Sequence, residues 1–235
     1  MTDFQARAAR FVSEHFPLAD AAFLGGSVTT ADATDSSDLD VLVVLPDRWS
    51  KAAFVETTRF EGQLVEVFAY GTDALPMWLE RGRDQRRPVL DKLIGEGVPL
   101  TGGMVADSLG DDSRRVLREG PPDPDPAELR SRAYSLSAVL DDLVDATDIG
   151  ERFVLTATAW REAAELALVV RRRWLGAGKW LLRELRVEHD EFGLVSWAGG
   201  DHNPASLVDG VRAVLDAAGG YTQEPFVRGE RPPDL

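Results

Sequence analysis

Three short stretches carry the residues that could do chemistry. The first is Gly25-Gly26-Ser27, at the end of the apolar run Ala21 to Leu24. The second, ten residues on, is Asp38-Leu39-Asp40, which opens the apolar run Val41 to Leu45. The third is Glu66, the one charge within Leu64-Val65-Glu66-Val67-Phe68. Side chains alternate along a strand, so Asp38 and Asp40 share a face, and Leu39, Val41 and Val43 point into a core. Two carboxylates at i and i+2 repel unless a cation sits between them. A magnesium ion answers that need, because it is hard and takes one or two carboxylates with substrate phosphates. By itself an Asp-x-Asp at a strand start is equally an exposed pair of acids.

The glycines change that weighting. A Gly-Gly-Ser turn lets backbone N–H groups approach an anion closely, and the serine adds a donor. A helix after Ser27 would favour phosphate further. Glu66 falls on the strand expected beside Asp40. A carboxylate buried there without a partner is costly, and coordination of a second metal ion removes the cost. An edge strand with Glu66 in water is the plain alternative.

Together, Gly25-Gly26-Ser27, Ser37-Asp38-Leu39-Asp40 and Glu66 resemble the polymerase-beta-type nucleotidyltransferase superfamily. The layout of the whole chain is most similar to bacterial small-molecule nucleotidyltransferases, a group that includes the aminoglycoside nucleotidyltransferases. The resemblance implies attack of an acceptor hydroxyl on the α-phosphorus of a nucleoside triphosphate, with loss of pyrophosphate. It implies two Mg2+ ions on Asp38 and Asp40, with Glu66 either completing one ion's shell or taking the hydroxyl proton. Gly25, Gly26, Ser27 and Ser37 would bind the nucleotide. The donor is expected to be a nucleoside triphosphate, ATP by preference, and the acceptor a small hydroxylated molecule. Rival readings are an antitoxin of the minimal nucleotidyltransferase type acting on a protein partner, and a degenerate nucleotide-binding module.

The elements that would position these residues follow from periodicity and breakers. Residues 3–16 read as an amphipathic helix ended by Pro17. Strands are expected at 21–24, 39–45 and 63–70, and helices at 48–60 and 72–82. A short helix and a last strand fill 88–101. The period is then helical, with helices at 127–147, 151–174, 178–187 and 204–218, and Gly120 to Pro126 as a rigid linker. The fold class is an α/β (α+β) nucleotidyltransferase domain with a small mixed sheet, about residues 1–104. An all-helical domain follows, about 105–225, then a tail, 226–235.

The helical half offers further candidates. Lys179, in a glycine-punctuated corner beside Trp174 and Trp180, could reach a triphosphate; a solvated helix end is the alternative. Arg171, Arg172 and Arg173 are expected in salt bridges or at the surface. Glu162 and Glu165 could meet a cationic acceptor, or pair along the helix, as in Arg161 with Glu165.

Composition narrows the function further. The chain has 235 residues, 40 acidic against 26 basic, for a net charge of −14. That argues against a nucleic-acid substrate, which needs basic surface, and permits a cationic small one. There are no cysteines, so disulfides, zinc-thiolate sites and cysteine nucleophiles are excluded. His15, His189 and His202 show no metal-ligand spacing. No apolar run is long enough to span a membrane, and the first residues lack a signal-peptide core, so a cytoplasmic protein is expected.

Overall fold

A computed structural model describes residues 3–30, 33–34, 37–187, 189–223 and 226–227. The chain divides into two compact units, Met1–Pro121 and Pro122–Leu235.

The first unit is built on a mixed five-stranded sheet in the order β3-β4-β2-β1-β5. Helix α1 (Asp3–His15) leads into β1 (Ala21–Gly25) and β2 (Leu39–Leu45), which are antiparallel neighbours. β3 (Ala53–Phe60) and β4 (Gln63–Gly71) form a hairpin, and β4 lies parallel to β2. Helices α2 (Ala74–Asp84) and α3 (Val89–Gly95) precede β5 (Val98–Thr101), and α4 (Gly103–Glu119) closes the unit.

The sheet is apolar on both faces because β2 alternates between two cores. Leu39, Val41 and Val43 pack with Ala8, Phe11 and Val12 of α1. Leu42 and Val44 pack with Leu75 and Leu79 of α2, Leu93 and Ile94 of α3, and Ala106 of α4. A central strand covered on both sides reads as a continuous apolar run, as Val41 to Leu45 does.

Residues 48–60 depart from the expected helix. A 3-10 turn, Asp47–Trp49, is followed by β3, and Trp49 and Phe54 are exposed rather than inward. Two physical reasons act together. Val55, Thr57 and Thr58 are β-branched and favour the strand. Glu61 and Gly62 adopt φ of 48° and 81°, the left-handed pair of a two-residue hairpin turn. From α1, Arg10 grips the Glu61 carboxylate at 2.6 and 2.8 Å, and Arg7 at 3.3 Å, fixing that turn.

The division also falls later than 104/105. α4 sits in the first unit, with Ala106 in its core. Gly95 of α3 allows close approach, since a β-carbon there would lie 3.0 Å from the Arg114 nitrogen. The proline-rich segment after Gly120, rather than the Gly102-Gly103 pair, separates the units.

The second unit is helical: α5 (Pro126–Asp145), α6 (Ile149–Val170), α7 (Lys179–Arg186), the single turn α8 (Leu194–Ser196) and α9 (Pro204–Ala217). Leu136, Leu140, Ala163, Leu166, Leu207 and Val211 lie in its core. Asp125, Asp148 and Asn203 cap three of the helices through their side chains. α6 stops at Val170, short of the expected 174, because Arg172 takes φ of 55° and turns the chain. No helix among the described residues is long and apolar enough to cross a membrane. Of the expected tail, residues 228–235 lie outside the described ones.

Candidate active site

The acids and the glycines meet at one end of the sheet. Asp40 is the register partner of Gly25 on β1 and of Glu66 on β4. All three share the face of Phe23, Leu42, Phe68 and Tyr70, which belong to or pack against the core under α2 to α4. Neighbouring strands lie about 4.8 Å apart, so the bases of Asp40 and Glu66 are side by side. Both are half-buried, whereas Asp38 is exposed just ahead of β2.

Two glycines make room for different neighbours. A β-carbon on Gly25 would fall 2.5 Å from Leu93 Cδ2 and 3.1 Å from Leu93 Cα, so α3 packs directly on the end of β1. A β-carbon on Gly26 would fall 1.7 Å from Asp40 Oδ2, and Gly26 has φ of 70°. The Gly26 backbone therefore lies against the Asp40 carboxylate, where only glycine fits.

Ser27 opens a single 3-10 turn, Ser27–Thr29, rather than a helix. A dipole contribution of helical size is therefore absent, and anion binding at this turn rests on local donors. The Thr29 and Thr30 hydroxyls donate to the Gly26 and Ser27 carbonyls at 2.8 and 2.9 Å, closing the turn. Ser27 Oγ donates to Ser37 Oγ at 3.3 Å, so the two serines span the loop between β1 and β2. Ser37 Oγ also accepts from the Thr34 backbone N–H at 3.0 Å.

Sequence reasoning missed the support behind this loop. Gln63 Nε2 donates to the Ser37 carbonyl, and Arg7 Nη1 donates to Gln63 Oε1 at 3.1 Å. This relay ties α1 and the start of β4 to the residue before Asp38. A glutamine at the start of a strand carries no signal of such a role.

The donors suit a hard divalent ion in kind, since all three are carboxylates on or beside adjacent strands. Gly26 leaves open the space in front of Asp40 that a β-carbon would fill. The structure brings Asp40 and Glu66 together, but no three His, Asp or Glu side chains among the described residues converge as a metal-binding group. A cleft of about 600 Å³ on the same face lies elsewhere, lined by Val44, Thr72, Leu75, Leu79 and Leu109. It opens about 13 Å further along β2 than Asp40.

The remaining candidates lie in the helical unit. Lys179 is the exposed first residue of α7, after Gly178 at φ of 54°. Trp174 is buried, and Trp180 lies under the Arg183 guanidinium at 4.4 Å. Arg171 bonds Glu191 at 2.5 Å, and Arg172 bonds Asp123 at 2.8 Å. Glu165 pairs with Arg132 of α5 at 3.6 Å, not with Arg161, which lies 3.9 Å from Glu162. Burial pushes the Glu162 carboxyl above its ordinary range, against the pull of Arg161.

Residues 6–78 match the family model of the nucleotidyltransferase domain. That span runs from α1 into α2 and holds both glycines, Ser27, Ser37, the three acids and the hairpin. The chain thus carries a nucleotidyltransferase domain, and its enzyme class is nucleotidyltransferase. No curated protein matches the chain. Among solved structures it is similar to a nucleotidyltransferase-like protein from Exiguobacterium sibiricum 255-15. The identity is 14%, over 91% of this chain and 74% of that one, with a TM-score of 0.47.

Proposed function

We propose that the chain is a magnesium-dependent enzyme that moves a nucleoside monophosphate, AMP by preference, from a nucleoside triphosphate to a hydroxyl of a small acceptor. The observation that carries this reading is the Asp40 carboxylate, held against the Gly26 backbone and in register with Glu66. An anion-binding turn and paired carboxylates are the two halves of a phosphoryl-transfer site.

The N–H groups of the Gly25-Gly26-Ser27 turn and the Ser27 hydroxyl bind triphosphate oxygens. Asp38 and Asp40, with Glu66, would hold the metal, and bound Mg2+ would supply charge neutralisation and a lowered pKa for the acceptor hydroxyl. Glu66, one strand from Asp40, is a metal ligand or takes the acceptor proton. The acceptor oxygen forms a bond to the α-phosphorus as the bond from that phosphorus to the pyrophosphate oxygen breaks. Pyrophosphate leaves, and the proton passes to Glu66 or to water. The net charge of −14 favours a cationic acceptor over a polynucleotide. A nucleoside triphosphate donor fits a cytoplasmic setting.

The test is a screen of labelled ATP, CTP, GTP and UTP against aminoglycosides, nucleotides and cell extract, run beside Asp40→Asn. Metal-dependent transfer by the wild type, lost in a variant with an unchanged melting curve, is expected. Near-wild-type transfer by well-folded Asp40→Asn would overturn the mechanism.

A further inference from the structure

β3 is an edge strand of an unusual kind. Its eight residues pair with β4 without a bulge, from Ala53 opposite Tyr70 to Phe60 opposite Gln63. No strand among the described residues pairs with its outer edge. Residues 53–57 are exposed throughout, including Phe54 and Val55. The strand contains no proline. Natural edges of this length are normally interrupted or covered, because a row of free N–H and C=O groups recruits another strand.

The direction of those groups follows from the turn. In a two-residue hairpin the closing pair, here Phe60 and Gln63, is hydrogen-bonded, and bonded pairs then alternate. Even-numbered residues of β3 therefore bond to β4. The Gly71 N–H bond to the Ala52 carbonyl, at 2.8 Å, continues the same parity. The odd-numbered residues Ala53, Val55, Thr57 and Arg59 point their N–H and C=O groups outward.

We propose that β3 pairs antiparallel with β3 of a second copy of this chain, about a two-fold axis through Thr57. Charge and strand overlap select that register. An axis on Glu56 would set Glu56 directly against its own copy, which is destabilising. An axis on Thr58 would leave Ala53 beyond the partner's hairpin. The axis on Thr57 sets Thr57 opposite Thr57, Val55 opposite Arg59 and Phe54 opposite Phe60. It yields about six ladder hydrogen bonds. The Arg10–Glu61 clamp holds the hairpin in this form before any partner arrives. The edge is about 27 Å long. A strip of that length covers roughly 500 Å² per partner, below the roughly 800 Å² of a standard interface. The dimer is therefore one of moderate affinity, formed at micromolar concentration. This inference stands independently of the proposed reaction.

Sedimentation equilibrium of the full chain, from about 10 to 300 μM, is the test, a range suited to an interface below standard size. The wild type should pass from monomer to dimer across it. Thr57→Pro removes one outward N–H, which an edge strand tolerates, and should stay monomeric with an unchanged melting curve. Val55→Glu faces Arg59 of the partner and should tighten the dimer several-fold, although it adds negative charge to an acidic chain. Val55→Lys should weaken it several-fold. Because the chain lacks cysteine, Thr57→Cys gives a clean cross-link probe. Its two copies would lie about 5.5 Å apart between Cα atoms, within disulfide reach. It should oxidise to a dimer faster than Ser13→Cys on the exposed side of α1. A wild type monomeric throughout, equal cross-linking by the two cysteine variants, or Val55→Glu and Val55→Lys shifting the equilibrium in one direction would overturn the proposal.

Discussion

Replacing Gly26 by alanine adds one methyl group at the point where the Gly25-Gly26-Ser27 turn meets the Asp40 carboxylate, and the structure gives the scale of the effect. The backbone at Gly26 has φ of 70° and ψ of −161°, a region nearly restricted to glycine and costing other residues about 1–3 kcal/mol. The new β-carbon would also sit 1.7 Å from Asp40 Oδ2 and 2.7 Å from Asp40 Cγ. To reach an ordinary contact, the carboxylate or the turn must retreat by about 1.5 Å. A displacement of about 1 Å at a reacting group costs on the order of 100-fold in rate. Transfer should therefore fall by two orders of magnitude or more, and stability by about 2–3 kcal/mol. Gly62→Ala is the control. It has φ of 81° but nothing within 4 Å of the added carbon, so it pays only the conformational cost, about 1 kcal/mol. Pyrophosphate release and thermal melting measure the two effects. A Gly26→Ala variant with at least half the wild-type rate would refute the contact between this turn and Asp40.

Three further outcomes follow from single contacts. Ser27→Ala should weaken triphosphate binding about ten- to a hundredfold, the worth of a hydrogen bond to a charged group, as read by titration calorimetry. Unchanged affinity would remove Ser27 from the phosphate site. Asp91→Ala should destabilise the protein by about 2–4 kcal/mol. Asp91 is fully buried and grips Arg83 at 2.7 and 3.0 Å, and the partly exposed guanidinium can still reach water, which limits the loss. A denaturant melt with an unchanged midpoint would contradict this. Asp190 gives a pH effect. Burial disfavours its charged form, but the Val195 and Ser196 N–H groups outweigh burial and hold its pKa below the ordinary value. Its stabilising contribution is full above the unfolded pKa of about 3.9 and is lost as pH falls through the folded value. Asp190→Asn should flatten that part of the acid limb of the melting curve, and an identical pH profile would count against those two hydrogen bonds.

The legible parts of the fold were those in which one signal acted alone. Val41 to Leu45 could hardly be anything but a buried strand, and Gly62 followed by an apolar run announced β4. Residues 48–60 read as a helix because Trp49, Ala53 and Phe54 mimic a helical spacing, while β-branching and the Glu61-Gly62 turn favour a strand. Tertiary pairing with β4 decides between them, and nothing local to the segment displays it. The boundary at Pro121 was obscured for a related reason. A helix after two glycines looks like the start of a helical domain, yet Ala106, Gly110 and Ser113 form its buried side. In sequence, a helix that covers a sheet and one that packs on helices show the same period.

For the site, residue types were legible and distances were not. The i, i+2 spacing of Asp38 and Asp40 reads as a common side, although β2 begins only at Leu39, and Glu66 is the register neighbour of Asp40. The reason for Gly26 was visible only in three dimensions. Phosphate-binding glycines are usually explained by access of the ligand to backbone N–H groups. Here a second constraint acts from within the protein, because the Asp40 carboxylate occupies the place of the missing side chain. The two halves of the motif are therefore sterically coupled. The turn cannot acquire a side chain without moving the acid, and the acid cannot lengthen toward the turn without striking Gly26. By that logic Asp40→Glu should fare no better than Asp40→Asn in catalysis, although it keeps the charge. One extra methylene at a position already in contact with backbone moves the carboxylate by over 1 Å, on the order of a 100-fold loss in rate. Single-turnover transfer by Asp40→Glu within a few-fold of wild type would show that the contact with Gly26 yields under load and sets no limit on the acid's position.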